Sequence, residues 1–246
     1  MTFVARIPIV EIFGPTIQGE GMMIGKKTMF VRTGGCDYKC SWCDSAFTWN
    51  GSQKPTMMTP QEIVDRLFEL GKDLFQHVTI SGGNPALIGT VMRDLIMLLH
   101  GRGIRVGAET QGSRWQDWFL RIDDLTISPK PPSSKMDTNW DTLDFIIHKL
   151  EDACAIAQEP YNFSLKVVVF NDRDFEYART VHKRYPDVPF YLSVGNDDII
   201  SQENISNRLL KQLDWLVTKV MQDPYMNDAI TLPQLHALLW GNKRGV

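Results

Sequence analysis

Cysteine is scarce. Four residues in 246 are too few for the disulfide scaffolds that small exported domains build. Charge of one sign is scarce as well: 26 Lys and Arg against 29 Asp and Glu leave a net charge of -3, which gives no electrostatic footprint for a nucleic-acid backbone. No apolar run approaches the roughly 20 residues that a membrane span needs. The opening MTFVARIPIVEIFG has no charged leader ahead of a cleavable apolar segment, so the expected location is cytoplasmic and the expected partner a small molecule. Low-complexity tracts, internal repeats and obvious linkers are missing too. With a hydrophobic fraction of 43%, residues 1–246 are expected to fold as a single domain with a real core.

What is present is an alternation of short β-branched or apolar runs with longer helical patterns, the signature of βα units. KTMFVRT, HVTISG, IRVGAET, DLTIS, LKVVVF and FYLSV are the candidate strands. Between them, TPQEIVDRLFELGK predicts a helix with Ile63, Leu67 and Leu70 on its buried face and Val64 and Phe68 beside it. Thr59 caps it, Pro60 fits its first turn and Glu62 completes a capping box. ALIGTVMRDLIMLLHGRG, WDTLDFIIHKLEDACAIA, RDFEYARTVHKRY and QENISNRLLKQLDWLVTKVMQ predict further helices. Six such strands form either an open doubly wound sheet or a partly closed barrel, and periodicity does not separate the two. In both, loops after the strands' C-terminal ends make the active site. The special sequences fall there: Gly34-Gly35, SGGNP, ETQG and SPKPP. Residues 1–26 and 51–58 read as additions to the βα core. GRGIRVG precedes a strand and departs from GxGxxG, so it is not read as a dinucleotide site.

Three of the four cysteines lie in CDYKCSWC, where the spacing CxxxCxxC lets one loop carry Cys36, Cys40 and Cys43 around a single inorganic centre. Structural zinc and ferredoxin clusters usually take a fourth protein ligand. The remaining Cys154 is far along the chain within a helical pattern and reads as a small buried apolar residue. Three ligands therefore leave one metal position open.

This spacing resembles the radical S-adenosylmethionine superfamily, whose fold is a partial, modified (β/α)6 TIM-type barrel. The resemblance implies a [4Fe-4S] cluster on Cys36, Cys40 and Cys43 with an open iron that binds the methionine end of S-adenosylmethionine, and a 5'-deoxyadenosyl radical that abstracts hydrogen from the substrate. Trp42 occupies the position that packs against the adenine. Ser81-Gly82-Gly83-Asn84-Pro85 resembles the GGEP segment that meets the cofactor's amino group, with Asn84 in place of the usual Glu.

PTIQGEG at 15–21, FVR at 30–32, Cys43-Asp44-Ser45, ETQG and SPK in this order resemble the 7-carboxy-7-deazaguanine synthases. That resemblance implies conversion of 6-carboxy-5,6,7,8-tetrahydropterin to 7-carboxy-7-deazaguanine with loss of ammonia, on the route to queuosine and related deazapurines. It implies substrate binding by Ile17, Gln18, Gly19, Glu20, Arg32, Ser81 and His236. Cofactor binding would fall to Trp42, Cys43, Asp44, Gly83, Glu109, Ser128 and Lys130, and Mg2+ to Ser45. Physical chemistry permits this: a pterin edge pairs with amides and a carboxylate, and a guanidinium grips a carboxylate bidentately. Each residue also has a plainer reading. Arg32 fits a salt bridge, Glu20 a solvated loop, Ser45 a turn cap, Lys130 a rigid Pro-flanked loop and His236 a core position. The resemblance further implies a C-terminal tail that closes the site, a homodimer and a flavodoxin-like reductant. Two other functions remain open: a glycyl-radical activase, which also carries CxxxCxxC, and a non-enzymatic iron-sulfur or zinc module.

Overall fold

In the computed structural model, residues 5–160, 162–196, 198 and 204–246 are described. All six expected strands form: β2 (Lys27–Thr33), β4 (His77–Gly82), β5 (Arg105–Thr110), β6 (Asp124–Ile127), β7 (Phe163–Val169) and β8 (Phe190–Val194). Three more join them, β1 (Ile7–Ile17), β3 (Thr56–Met58) and β9 (Ile230–Leu232), giving one 9-stranded sheet of order β3-β1-β2-β4-β5-β6-β7-β8-β9. From β2 through β9 every pairing is parallel, whereas β1 runs antiparallel to both β2 and β3. The additions at 1–26 and 51–58 thus extend the sheet as antiparallel strands, the first of them 11 residues long. Its register against β2 shifts between Phe13 and Thr16, at Pro15, which has no N–H to give to the ladder. Residues 1–4 of that segment lie outside the described residues.

Side-chain alternation separates the two faces of the sheet. Met29, Val31, Val78, Ile80, Val106, Leu125, Leu165, Val167 and Leu192 point to one side and join the buried core. That core is completed by the helices α1 (Pro60–Gly71), α2 (Val91–His100), α3 (Trp140–Ala157), α4 (Asp172–Arg184) and α5 (Ile205–Met221). The intervening positions, Thr28, Thr79, Thr126, Ser164, Lys166 and Ser193, are buried yet polar. A sheet with helices over one face and a polar face opposite is the barrel-type solution, not the doubly wound one. The order does not close, so the barrel is partial.

α1 starts as its sequence predicts: Thr59 Oγ1 accepts from Glu62 N at 3.2 Å, Glu62 Oε2 accepts from Thr59 N at 2.6 Å, and Pro60 opens the helix. Its buried face is Ile63, Val64, Leu67 and Gly71; Leu70 is exposed, because the core lies nearer the 63/67/71 stripe. The pattern read as one helix over 86–103 splits into a 3-10 turn at Pro85–Leu87 and α2, interrupted at Gly89-Thr90. α5 begins at Ile205, and the Gln202 and Glu203 of the expected helix lie outside the described residues. A last helix, α6 (Leu235–Trp240), carries the chain back over the polar face, where Leu235 N donates to Gly19 O at 3.0 Å.

Candidate active site

The C-terminal ends of the parallel strands, the end of β1 and the C-terminal tail enclose a cavity of about 400 Å³, a size suited to small molecules. Every residue assigned a role from sequence lines it.

On one part of the wall lies the loop after β2. Cys36, Cys40 and Cys43 all face the cavity as free thiols. Burial raises all three, Cys40 to about 11 although Lys130 opposes it. Cys154 is buried under α3, in the core, as expected. Among the described residues no three Cys, His, Asp or Glu side chains converge on a single ion position. An iron-sulfur cluster takes each thiolate at a different iron, and three thiols on one cavity-lining loop fit that need. The loop is tied down by its neighbours: Ser41 N and Oγ donate to the carbonyls of Ser134 and Ser133 at 3.0 and 2.8 Å, and Tyr38 Oη donates to Asp137 O at 2.9 Å. The Trp42 ring lies 4.9 Å from that of Phe170 and its Nε1 donates to Ser133 Oγ at 3.0 Å.

The SGGNP segment packs backbone to backbone against this loop. Gly83 N donates to Thr33 O at 3.1 Å and Asn84 N to Gly35 O at 2.8 Å. A Cβ on Gly83 would lie 1.9 Å from Gly35 O, and Gly82, at φ +126°, would place one 2.3 Å from Thr33 O; both contacts forbid a side chain. Asp44, beside Cys43, is exposed at the cavity edge, and Ser45 follows it. The Ser45 hydroxyl makes no capping bond to the 3-10 turn Ala46–Thr48, so the plainer reading of that residue as a turn cap is not realised.

Glu20, Glu109, Gln18 and His236 come together around a residue the sequence reading did not select, Lys166. The Lys166 ammonium pairs with Glu20 Oε2 and lies 3.8 Å from Glu109 Oε1, which also accepts from Gln18 Nε2 at 3.2 Å. Gln234 Nε2 donates to the other Glu20 oxygen. Burial alone would raise the Glu20 carboxyl, but Lys166, with His236 and Gln234, holds it well below the usual carboxylate range. Burial likewise disfavours the Lys166 ammonium, and the two carboxylates outweigh it, lifting its pKa above the ordinary lysine value. Glu20 is thus no solvated loop residue, and Glu109 sits with the Gln18–Glu20 group while Lys130 Nζ donates separately to Ser128 Oγ at 3.1 Å. A Cβ on Gly19 would fall 2.2 Å from His236 Nδ1, so Gly19 is what lets the tail close over PTIQGEG. The signal for Lys166 was a lone charge in a fully buried interior strand, FSLKVVV.

Arg32 does form a salt bridge, to its cross-strand partner Glu11 at 2.6 Å, and its guanidinium lies over Phe13 and Phe47 at 5.3 and 5.4 Å. A second guanidinium reaches the same carboxylate from the tail: Arg244 Nε meets Glu11 Oε2 at 2.7 Å, with its Cζ 3.5 Å from the Phe47 centroid. Two cations on one carboxylate leave a positive charge, and Arg32 Nε is buried without a hydrogen-bond partner among the described residues. Nothing in the sequence around Arg244 marked it, because its place depends on how the tail folds back.

Comparison with known proteins agrees with this geometry. The Radical SAM superfamily model matches residues 30–150. A 7-carboxy-7-deazaguanine synthase of Bacillus cereus is 56% identical, with 98% of this chain and all of that protein covered, and one of Bacillus subtilis is 58% identical, with 98% of each covered. A third, from Synechocystis, is 32% identical over 85% of this chain and 87% of its own length. Among solved structures, QueE from Escherichia coli has the same fold at a TM-score of 0.60 and 22% identity, covering 94% of this chain and 95% of that one.

Proposed function

The chain belongs to the 7-carboxy-7-deazaguanine synthase family of radical S-adenosylmethionine enzymes, and from that membership we propose that its cavity converts 6-carboxy-5,6,7,8-tetrahydropterin to 7-carboxy-7-deazaguanine with release of ammonia, a step toward queuosine and related deazapurines. The observation that carries this reading is the meeting, in one cavity, of the CxxxCxxC thiols with the anionic Glu20–Lys166–Glu109 group and the cationic Arg32–Glu11–Arg244 group.

When bound, the [4Fe-4S] cluster of Cys36, Cys40 and Cys43 and S-adenosylmethionine supply a 5'-deoxyadenosyl radical for hydrogen abstraction. The chain's own share is binding and orientation. Glu20, kept ionised by Lys166, with Gln18 and the backbone of Ile17 and Gly19, accepts the N–H edge of the pterin, while His236 closes over it. Arg32 and Arg244 attract its carboxylate. We assign Mg2+ to the substrate carboxylate and the uncapped Ser45 hydroxyl, since this cation keeps most of its waters and needs few protein oxygens. Ser81 belongs to the substrate side. Trp42, Asp44, Gly83, Ser128 and Lys130 serve the cofactor, the carbonyls of the SGGNP segment taking its ammonium. The Glu109 carboxylate, bonded to Gln18, orients the substrate group and borders the cofactor.

Residues 1–246 form a single domain under this proposal, with 1–26 as substrate-binding segment and the C-terminal tail as its cover. The family resemblance points to a homodimer and a flavodoxin-like electron donor, and a cytoplasmic location is proposed with them. No helix among the described residues is long and apolar enough to cross a membrane.

Equilibrium binding to the anaerobically reconstituted chain tests the substrate. With S-adenosylmethionine and Mg2+ present, 6-carboxytetrahydropterin is expected to bind at least roughly tenfold more tightly than the same pterin without its carboxylate, the effect of about 1.4 kcal/mol. Arg32→Leu should reduce the difference, and Arg32→Leu with Arg244→Leu should reduce it further. Equal binding of the two pterins by the wild-type chain would overturn the assignment.

A further inference from the structure

Asp37 stands inside CDYKCSWC, next to Cys36, and its carboxylate gathers donors from loops that follow two other strands. Oδ1 accepts from Asn84 Nδ2 at 2.9 Å and from Gln111 Nε2 at 2.6 Å, and Oδ2 accepts from Ser113 Oγ at 2.7 Å. The same Gln111 nitrogen lies 3.6 Å from Cys36 Sγ. Asn84 is fully buried and uses its whole amide: Nδ2 also donates to Ser113 Oγ at 3.0 Å, and Oδ1 accepts from Thr110 Oγ1 at 2.9 Å and Ala86 N at 3.1 Å.

We propose that Asp37 and Asn84 are a matched pair of positioning residues that aim the Gln111 amide at the Cys36 sulfur, and that this N–H donor sets the reduction potential of the cluster. The proposal rests on the reading of Cys36 as a cluster ligand. Hydrogen bonds to ligand sulfurs favour the more negative, reduced cluster and so raise its potential. Gln111 has two N–H bonds to give; with one fixed on Asp37, the other points to Cys36. The pair also accounts for Asn at the position where the resembled segment carries Glu. A glutamate there would set a second carboxylate against Asp37 and remove the amide donor that Asn84 supplies to it.

A double-mutant cycle tests this. The potential of the reconstituted cluster is followed by electron paramagnetic resonance in a redox titration of the full chain. Gln111→Met, which keeps volume and loses the donor, is expected to lower the reduced-to-oxidised ratio at a fixed poise roughly tenfold, about 59 mV for a one-electron couple. In an Asp37→Ala background, which removes the acceptor that fixes Gln111, the same change should have much less effect. A Gln111→Met chain with the wild-type potential, or an equal shift in both backgrounds, would refute the proposal. The matched pair is read separately in the cluster-free chain. Asn84→Glu should lower the thermal midpoint, and adding Asp37→Asn should recover most of it; no recovery counts against the pair. A wild-type chain that takes up no cluster would sink the ligand reading itself, which a loaded cluster with an unmoved potential does not.

Discussion

Replacing Lys166 by Met leaves two carboxylates, Glu20 and Glu109, at the end of a buried group that held one ammonium between them. Met matches the stem of Lys, so packing changes little and the effect is electrostatic. Removing one partner of a buried pair costs about 3–5 kcal/mol, because the other charge stays desolvated and uncompensated. The sign of the pH dependence follows from Glu20. In the wild type its carboxyl is depressed, so its contribution to stability is present above the ordinary carboxylate pKa and is lost as pH falls through the depressed one. Without Lys166, burial prevails and raises that pKa. The variant should then gain stability relative to wild type on acidification from about pH 7 to about pH 5, as Glu20 takes a proton in the folded state. Urea unfolding of the cluster-free chain across that range measures it. Lys166→Met is expected to lower the midpoint most at the neutral end, and Glu20→Gln on top of it should recover a large part, since an amide at 20 carries no charge and keeps the Gln234 contact. An unchanged midpoint, or strictly additive losses in the double variant, would refute the pairing as the source of Glu20 ionisation.

Other perturbations address the remaining walls of the cavity. Cys40→Ala should prevent cluster assembly and cofactor cleavage, checked by iron content and 5'-deoxyadenosine release; turnover that survives would refute its ligand role. Arg32→Lys keeps the charge and loses the planar fork, so a rise of roughly tenfold in KM for the carboxypterin is expected, about 1.4 kcal/mol. Gly19→Ala drives a Cβ into His236 and should displace α6 from PTIQGEG, seen as faster amide exchange at Leu235. Ser45→Ala should blunt the response of turnover to Mg2+, measured as rate against metal concentration.

Strand positions and the cluster loop were legible because each has a local signal: β-branched runs, a capping box at Thr59 and Glu62, and three cysteines within one loop. The choice between open sheet and barrel was left open by the sequence; the structure decides it, with polar residues at every second position of the buried strands β4 and β6. That period marks a polar inner face. β9 spans only three residues, too short for any periodicity. Arg244, Gln234 and the Asp37–Asn84–Gln111 network were illegible for another reason: each takes its meaning from a partner far away in the chain, and no local pattern encodes that distance. The plain readings of Arg32 and Glu20 met different fates. Glu20 is buried and paired, whereas Arg32 does form a salt bridge, with a second arginine on the same carboxylate leaving charge to spare.

The most direct measurement is product formation by the reconstituted chain under anaerobic conditions, with reductant, Mg2+, 6-carboxytetrahydropterin and less S-adenosylmethionine than substrate. The account predicts 7-carboxy-7-deazaguanine and ammonia in equal amounts. Cleavage of S-adenosylmethionine to 5'-deoxyadenosine with no deazaguanine formed would contradict it.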